Sequence, residues 1–241
     1  MLVRHAESLG NVARQAAERA GAAAIDIAER DMDVDLSDRG QRQAEALGVW
    51  LAGLGHRQPT VALTSPYVRT RRTAQLALAA GGPGAVELRC DERLREREFG
   101  AFDRLTRRGL TERFPQEWAA RVHLGKFYHR PPGGESWCDV ALRVRSLLDS
   151  VTREHSGERV ALFTHEVVIL VFRYVLEHLE EEEVLRIGRS EQLANCGVTE
   201  FEFDPSAGRR GGMRLLYHTE PTAMEDAGVA ITKEPDAAAP Q

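Results

Sequence analysis

With 241 residues, 42% of them hydrophobic and 29% charged, the chain has the make-up of an ordinary globular protein of one large domain or two small ones. A formal net charge of −5 leaves no basic footprint for nucleic acid, so positive charge that binds a ligand must be local. Cys90, Cys138 and Cys196 are scattered without metal-ligand spacing and fit a reducing compartment.

In chain order, Met1–Val3 predicts a very short first strand, and the Ala-, Arg- and Glu-rich stretch Val12–Arg30 a helix or helical excursion. Ser37 is placed to cap a second helix carrying Ala44, Leu47, Leu51 and Leu54 at helical spacing and ending at Gly55. Val61–Thr64 is the next strand. Ser65 with Pro66 behind it reads as the cap and first residue of a helix, which runs to Ala80 and stops at Gly81-Gly82-Pro83-Gly84. Val86–Cys90 is a third strand, and residues 91–135 are irregular to partly helical. Asp139–His155 predicts a helix with Val140, Val144, Leu147, Leu148 and Val151 on one face. Val160–Thr164 is a strand, Val167–Leu179 a helix, and Val198–Phe203 with Met213–Tyr217 a hairpin. The run Glu180–Glu183 reads as a solvated helix end or turn. The expected domain is 1–217, and the Ala/Pro/Glu-rich stretch 218–241 is expected to be a disordered tail. Alternation of strand and helix argues for a mainly parallel sheet covered on both faces.

Two strands end on histidine, in Leu2-Val3-Arg4-His5 and in Val160-Ala161-Leu162-Phe163-Thr164-His165. Open α/β sheets collect ligands beyond the carboxyl ends of their strands. A third strand is followed by Ser65-Pro66-Tyr67-Val68-Arg69, which brings a second guanidinium to the same kind of position as Arg4. Arginine binds phosphate oxygens in pairs and stays charged. A neutral imidazole is a competent covalent nucleophile, and a carboxyl group must protonate the leaving oxygen and later deprotonate water. Arg4, Arg69, His5 and His165 supply the first parts. Glu96, in Leu94-Arg95-Glu96-Arg97-Glu98-Phe99-Gly100, is the preferred acid, with Glu92, Glu98 and Glu166 as competitors. Asn11 also reads as a plain helix cap. Arg121, Lys126, His129 and Arg130 read either as a second anion contact or as a solvated loop face.

At these residues the chain resembles the histidine phosphatase superfamily, in its phosphoglycerate-mutase-like branch. Arg4-His5-Ala6-Glu7-Ser8 with Asn11 is similar to the family's Arg-His-Gly-Glu signature, and Leu36–Gln43, Ser65–Ala74, Leu94–Gly100, Gly133–Arg143 and Thr164-His165 follow as further blocks in family order. The resemblance spans about residues 1–205. It implies a three-layer α/β/α sandwich with a mainly parallel central sheet, a phosphohistidine intermediate on His5, and no metal or other cofactor. It further implies a phosphate pocket of Arg4, Asn11, Arg69 and His165, a substrate contact at Ser8, and Glu96 as proton donor. The stretch Gly125–Arg130 running into Gly133–Ser136 is most similar to a broadly defined phosphatase subgroup.

Two residues depart from that pattern. Ala6 and Glu166 stand where glycine is usual. The family's acid-phosphatase branch often has an acidic group near the latter position, so Glu166 is a rival donor or a residue that tunes the charge of the pocket. The expected function is a metal-independent phosphomonoester hydrolase acting on a small phosphorylated metabolite. The alternatives are a phosphoglycerate-type phosphomutase and a catalytically silent phosphoprotein-binding module on the same fold. Against the mutase, the Ala-rich Val12–Arg30 and the segment Phe102–Thr106 differ from the stretches that mutases of this family carry. No nucleic-acid or membrane partner is expected. Nothing reads as a signal peptide or membrane span, a site starting at residue 5 leaves little room for a leader, and the expected location is the cytoplasm.

Overall fold

A computed structural model describes residues 1–81, 86–209, 211–220 and 222–233. Its six-stranded sheet has the order β3-β2-β4-β1-β5-β6: β1 is Leu2–Arg4, β2 Val61–Thr64, β3 Leu88–Cys90, β4 Val160–Thr164, β5 Val198–Asp204 and β6 Gly212–Glu220. The pairs β3/β2, β2/β4 and β4/β1 are parallel, and β1/β5 and β5/β6 antiparallel. The mainly parallel α/β sheet read from the sequence is therefore present, with the expected hairpin as its antiparallel margin.

Successive strand residues face opposite sides of a sheet, and two buried clusters follow from that rule. Leu2, Leu63 and Leu162 pack on one side with Trp137, Val140, Val144 and Leu147 of α6 (Trp137–Glu154) and with Val168–Phe172 of α7 (Glu166–Leu176). Val3, Ala62, Ala161 and Phe163 pack on the other side with Ala44, Leu47 and Leu51 of α2 (Asp38–Gly53) and with Ala74 and Ala77 of α3 (Val68–Gly81). Helices thus cover both faces, giving three layers.

The expected elements stand with shifts that have local causes. The first helix, α1, is Leu9–Arg19, earlier and shorter than expected, because Ser8 accepts the Asn11 amide as its cap. Ser37 caps α2 as read, taking the Gly40 amide at 3.0 Å. α3 starts at Val68, later than expected; Ser65 Oγ accepts the Tyr67 amide at 3.3 Å just before it and also serves the site described below. The expected stop at Gly81–Gly84 lies outside the described residues from 82 onward. Within residues 91–135 two short helices form, α4 (Arg107–Arg113) and α5 (Pro115–Leu124). Glu180–Glu183 opens a helix, α8 (Glu181–Ser190). Its acidic first turn complements the helix dipole, and Val184 and Ile187, three residues apart, are buried.

The expected disordered tail is corrected for the described residues 218–220 and 222–233. His218 belongs to β6, and α9 (Thr222–Asp226) buries Ala223 and Met224 in the α2–α3 cluster. The Ala/Pro/Glu-rich composition hid these apolar contacts. Residues 234–241, the remainder of the expected tail, lie outside the described residues.

Candidate active site

Register builds the site. In the parallel pair β1/β4, Arg4 stands opposite Thr164, so His5 and His165 leave the sheet side by side at its carboxyl edge. Their rings approach edge to face, with centroids 5.2 Å apart, and both are fully buried. In the pair β2/β4, Thr64 stands opposite Phe163, which delivers Ser65 next to them. The hydroxyls of Ser65 and Thr70 lie 2.8 and 3.1 Å from His165 Nε2, and the Tyr67 ring packs edge-on against His165 at 5.1 Å. These three residues orient His165 and were not read as site residues from the sequence. The signal was present, since Thr64-Ser65 ends β2 as Thr164-His165 follows β4.

His5 is held by its own turn. Nδ1 donates to the Ala6 carbonyl oxygen 2.7 Å away, because a carbonyl can only accept. In the neutral ring that leaves Nε2 as the basic nitrogen. The His5 amide donates to Thr164 O at 3.0 Å and the Ala6 amide to Thr73 Oγ1 at 3.0 Å.

Strand alternation turns Arg4 to the same side as Leu2, toward α7. It is fully buried, donates to the Leu193 carbonyl, and lies 3.6 Å from Glu166 Oε2. Glu166 is the first residue of α7, directly after His165. Arg69, buried in the first turn of α3, lies over the Tyr67 ring at 5.0 Å and pairs with Asp31. Tyr67 thus touches both His165 and Arg69. The Tyr67 phenol donates to Glu98 at 2.7 Å, and burial with that carboxylate pushes its pKa up. Ser8 and Asn11 cap α1 reciprocally, Asn11 Oδ1 accepting the Ser8 amide and Ser8 Oγ the Asn11 amide. Both are buried; Ser8 is the cap residue itself and Asn11 answers it from the third helical position.

Glu96 is 1% exposed and its Oε1 accepts the Arg97 amide at 2.7 Å. Its loop is pinned on both flanks. Thr164 Oγ1 donates to Leu94 O, Arg143 donates to the carbonyls of Arg93 and Glu96, and Glu135 accepts from Arg95 and the Glu98 amide. The Gly133–Arg143 block read from the sequence therefore acts by fixing the Glu96 loop.

A cationic wall adjoins Glu96. Arg97 is buried and donates to Glu135 O at 2.6 Å; burial and Arg121 bring its pKa down to about 10. Lys126 Nζ sits 5.7 Å above the Trp137 ring, and burial, then Arg121 and Arg97, bring it down to about 8, with Glu166 opposing. Arg121 itself packs on Trp118. The solvated reading of Arg121 and Lys126 is thus replaced by a half-buried cluster. Arg130 is not part of it, being exposed and paired with Asp139, and His129 is buried against Glu117.

Among the described residues, no group of three or more His, Cys, Asp or Glu side chains is placed to hold a metal ion, and no helix is long and apolar enough to cross a membrane.

The two histidines and Arg4 thus lie at the carboxyl ends of the strands, with Arg69 one turn into α3, where open α/β sheets collect their ligands. The chain belongs to the histidine phosphatase superfamily (branch 1), whose signature matches residues 1–211. It is 33% identical over 159 residues to a 2,3-bisphosphoglycerate-dependent phosphoglycerate mutase of Sinorhizobium fredii, covering 64% of this chain and 74% of that one. It is 30% identical to a phosphoglycerate mutase-like protein of Arabidopsis thaliana, covering 91% of this chain and 68% of that one. Among solved structures it superposes on a mycobacterial glucosyl-3-phosphoglycerate phosphatase with a TM-score of 0.68 at 23% identity, covering 91% and 97% of the two chains. A phosphoserine phosphatase variant of Entamoeba histolytica gives 0.67 at 20% identity, covering 92% and 97%. These two likenesses carry the fold.

Proposed function

We propose that this chain is a metal-independent phosphomonoester hydrolase of the cytoplasm that works through a phosphohistidine on His5. The observation that supports it most is the His5–His165 pair, 5.2 Å apart at adjacent strand ends, with Arg4 and Arg69 both buried. Phosphoryl transfer needs its oxygens held and its charge spread, which is positioning and electrostatics. Arg4, Arg69, Asn11, Ser8 and His165 hold the phosphoryl oxygens. His5 Nε2 attacks phosphorus as the ester P–O bond breaks, and the leaving oxygen takes the proton of the Glu96 carboxyl. Water then attacks phosphorus, giving its proton to the Glu96 carboxylate as the P–N bond breaks, and His5 and the acid are restored.

The wall of Arg97, Arg121 and Lys126 supports a substrate class. Buried like charges are costly unless an anion joins them, so the ester carries a second negative group beyond its phosphate. A phosphoglycerate, the kind of compound named for several relatives, has such a group in its carboxylate.

Those relatives also keep a second reading open, a phosphomutase on the same pocket. Incubation with 3-phosphoglycerate separates the readings: the hydrolase releases inorganic phosphate stoichiometrically, a mutase forms the 2-isomer when primed with the bisphosphate, and a silent binding module does neither. Quenching in alkaline detergent during turnover of p-nitrophenyl phosphate should trap a phosphate that is stable in base and lost in acid on the wild type, and none on His5→Ala. An acid-stable phosphate, or one that persists in His5→Ala, refutes the assignment.

A further inference from the structure

The last described stretch of the chain returns to the nucleophile loop. After α9, Gly228 turns the backbone at φ +63°, and residues 229–232 run between α2 and the loop before β5. Thr232 is 4% exposed. Its Oγ1 accepts from Gln43 Nε2 at 2.9 Å and donates to Asn195 Oδ1 at 2.9 Å. Its carbonyl accepts the Asn195 amide at 2.8 Å, and Ala230 O accepts Gln43 Nε2 at 2.9 Å.

The two amide side chains pass these contacts on. Asn195 Nδ2 donates to His5 O at 3.1 Å, and Gln43 Oε1 accepts the Glu7 amide at 2.9 Å. Each contact fixes the orientation of its amide. A carbonyl at His5 demands the NH2 of Asn195, so Asn195 Oδ1 must face Thr232; an N–H at Glu7 demands the oxygen of Gln43, so its NH2 must face Thr232 and Ala230. Among the described residues the Thr232 hydroxyl meets both demands, donating to one amide and accepting from the other. Through them it holds the backbone on either side of Ala6, whose carbonyl is the partner of His5 Nδ1. Thr232 lies beyond residues 1–211, the span of the family match.

We infer that Thr232 is a positioning residue for His5: a strap formed by residues 229–232 locks, through Asn195 and Gln43, the two peptides that orient the nucleophilic ring. This rests on the reading of His5 as nucleophile. Thr232 touches no reacting atom, so its removal should slow phosphoryl transfer to His5 and leave phosphate binding alone. Small misplacements of a reacting group cost rate steeply.

The test compares wild type, Thr232→Val, which keeps the shape and loses both hydrogen-bonding roles, and Thr232→Ser, which keeps them. Quenched single turnovers of p-nitrophenyl phosphate give the rate of histidine phosphorylation, and titration with inorganic phosphate gives the affinity of the pocket. The expected result is a loss of about tenfold in the phosphorylation rate of Thr232→Val, unchanged phosphate affinity, and a Thr232→Ser rate within about twofold of wild type. Thr232→Ala in the full chain should reproduce the loss if Thr232→Val folds poorly. Wild-type rates in Thr232→Val and Thr232→Ala, an equal loss in Thr232→Ser, or a loss confined to phosphate affinity overturns the inference. A wild type that never forms phosphohistidine overturns the functional reading itself, and this inference with it.

Discussion

Glu166 Oε2 stands 3.6 Å from Nη2 of Arg4, so a carboxylate already occupies the side of the guanidinium next to His165. An arginine that answers to a resident carboxylate has less attraction left for a phosphate. On the proposed reading Glu166 acts on ligand charge, and Glu96, 1% exposed, is the proton donor.

The first expected outcome follows from that contact. Glu166→Gly should keep kcat within a few fold and lower KM for multiply charged phosphoesters by about three- to tenfold, the effect of one partly buried charge at ~1 kcal/mol. Steady-state kinetics on 3-phosphoglycerate decide it, and an unchanged or raised KM counts against the role.

For Glu96 the expectation is a leaving-group effect. General acid catalysis contributes about 10²–10⁴-fold, so Glu96→Gln should lose that much kcat on an alkyl phosphate. The loss should be far smaller on p-nitrophenyl phosphate, whose leaving group needs no proton. If Glu166→Gln shows this dependence and Glu96→Gln does not, the two roles are exchanged.

Lys126 carries a pH dependence. Its pKa lies near 8 because burial and neighbouring Arg121 and Arg97 disfavour the charged form. It is thus cationic below that pH and neutral above it. KM for 3-phosphoglycerate should rise as pH climbs through about 8, while KM for p-nitrophenyl phosphate, with no second anion, should not. Lys126→Met should show the high-pH behaviour at every pH. Parallel profiles for the two esters in the wild type would argue against the cationic wall as a substrate contact.

Gly40 tests the packing of the nucleophile loop. Alanine at a helical glycine ordinarily stabilises by about 1 kcal/mol. Here a Cβ would sit 1.9 Å from the carbonyl oxygen of Glu7. Gly40→Ala should instead destabilise by about 1–3 kcal/mol through overpacking and reduce kcat, since Glu7 lies two residues past His5. Thermal denaturation and turnover measured together check this, and a rise in Tm would refute it.

Much of the site was legible because each key residue ends or closely follows a strand: His5 after Leu2–Arg4, His165 after Val160–Thr164, Arg69 soon after Val61–Thr64. Strand ends are written locally, in short apolar runs. Register is not. That Arg4 pairs with Thr164 and Thr64 with Phe163 depends on how distant strands slide past each other, so the Thr70 contact to His165 could not be read. Ser65 was legible as a polar residue before Pro66, and the helix-cap role competed successfully with the tertiary one. The stretch after His218 misled: its composition is polar, yet it is held by a few apolar residues, Ala223 and Met224, whose partners lie far away in sequence.

The position of β1 has a consequence for how the molecule comes to life on the ribosome. Among the described strands β1 comes before β4 and β5 in sequence yet sits between them in the sheet, so neither of its neighbours exists until the more than 150 residues separating β1 from β4 have been synthesised. Arg4 and His5 emerge early and wait. Pairings of such sequence separation close slowly, and an unpaired apolar strand is exposed to misassociation in the interval. The nascent chain should therefore be inert toward phosphoesters until β4 and the turn at Asn195 have arrived, with competence appearing late and abruptly.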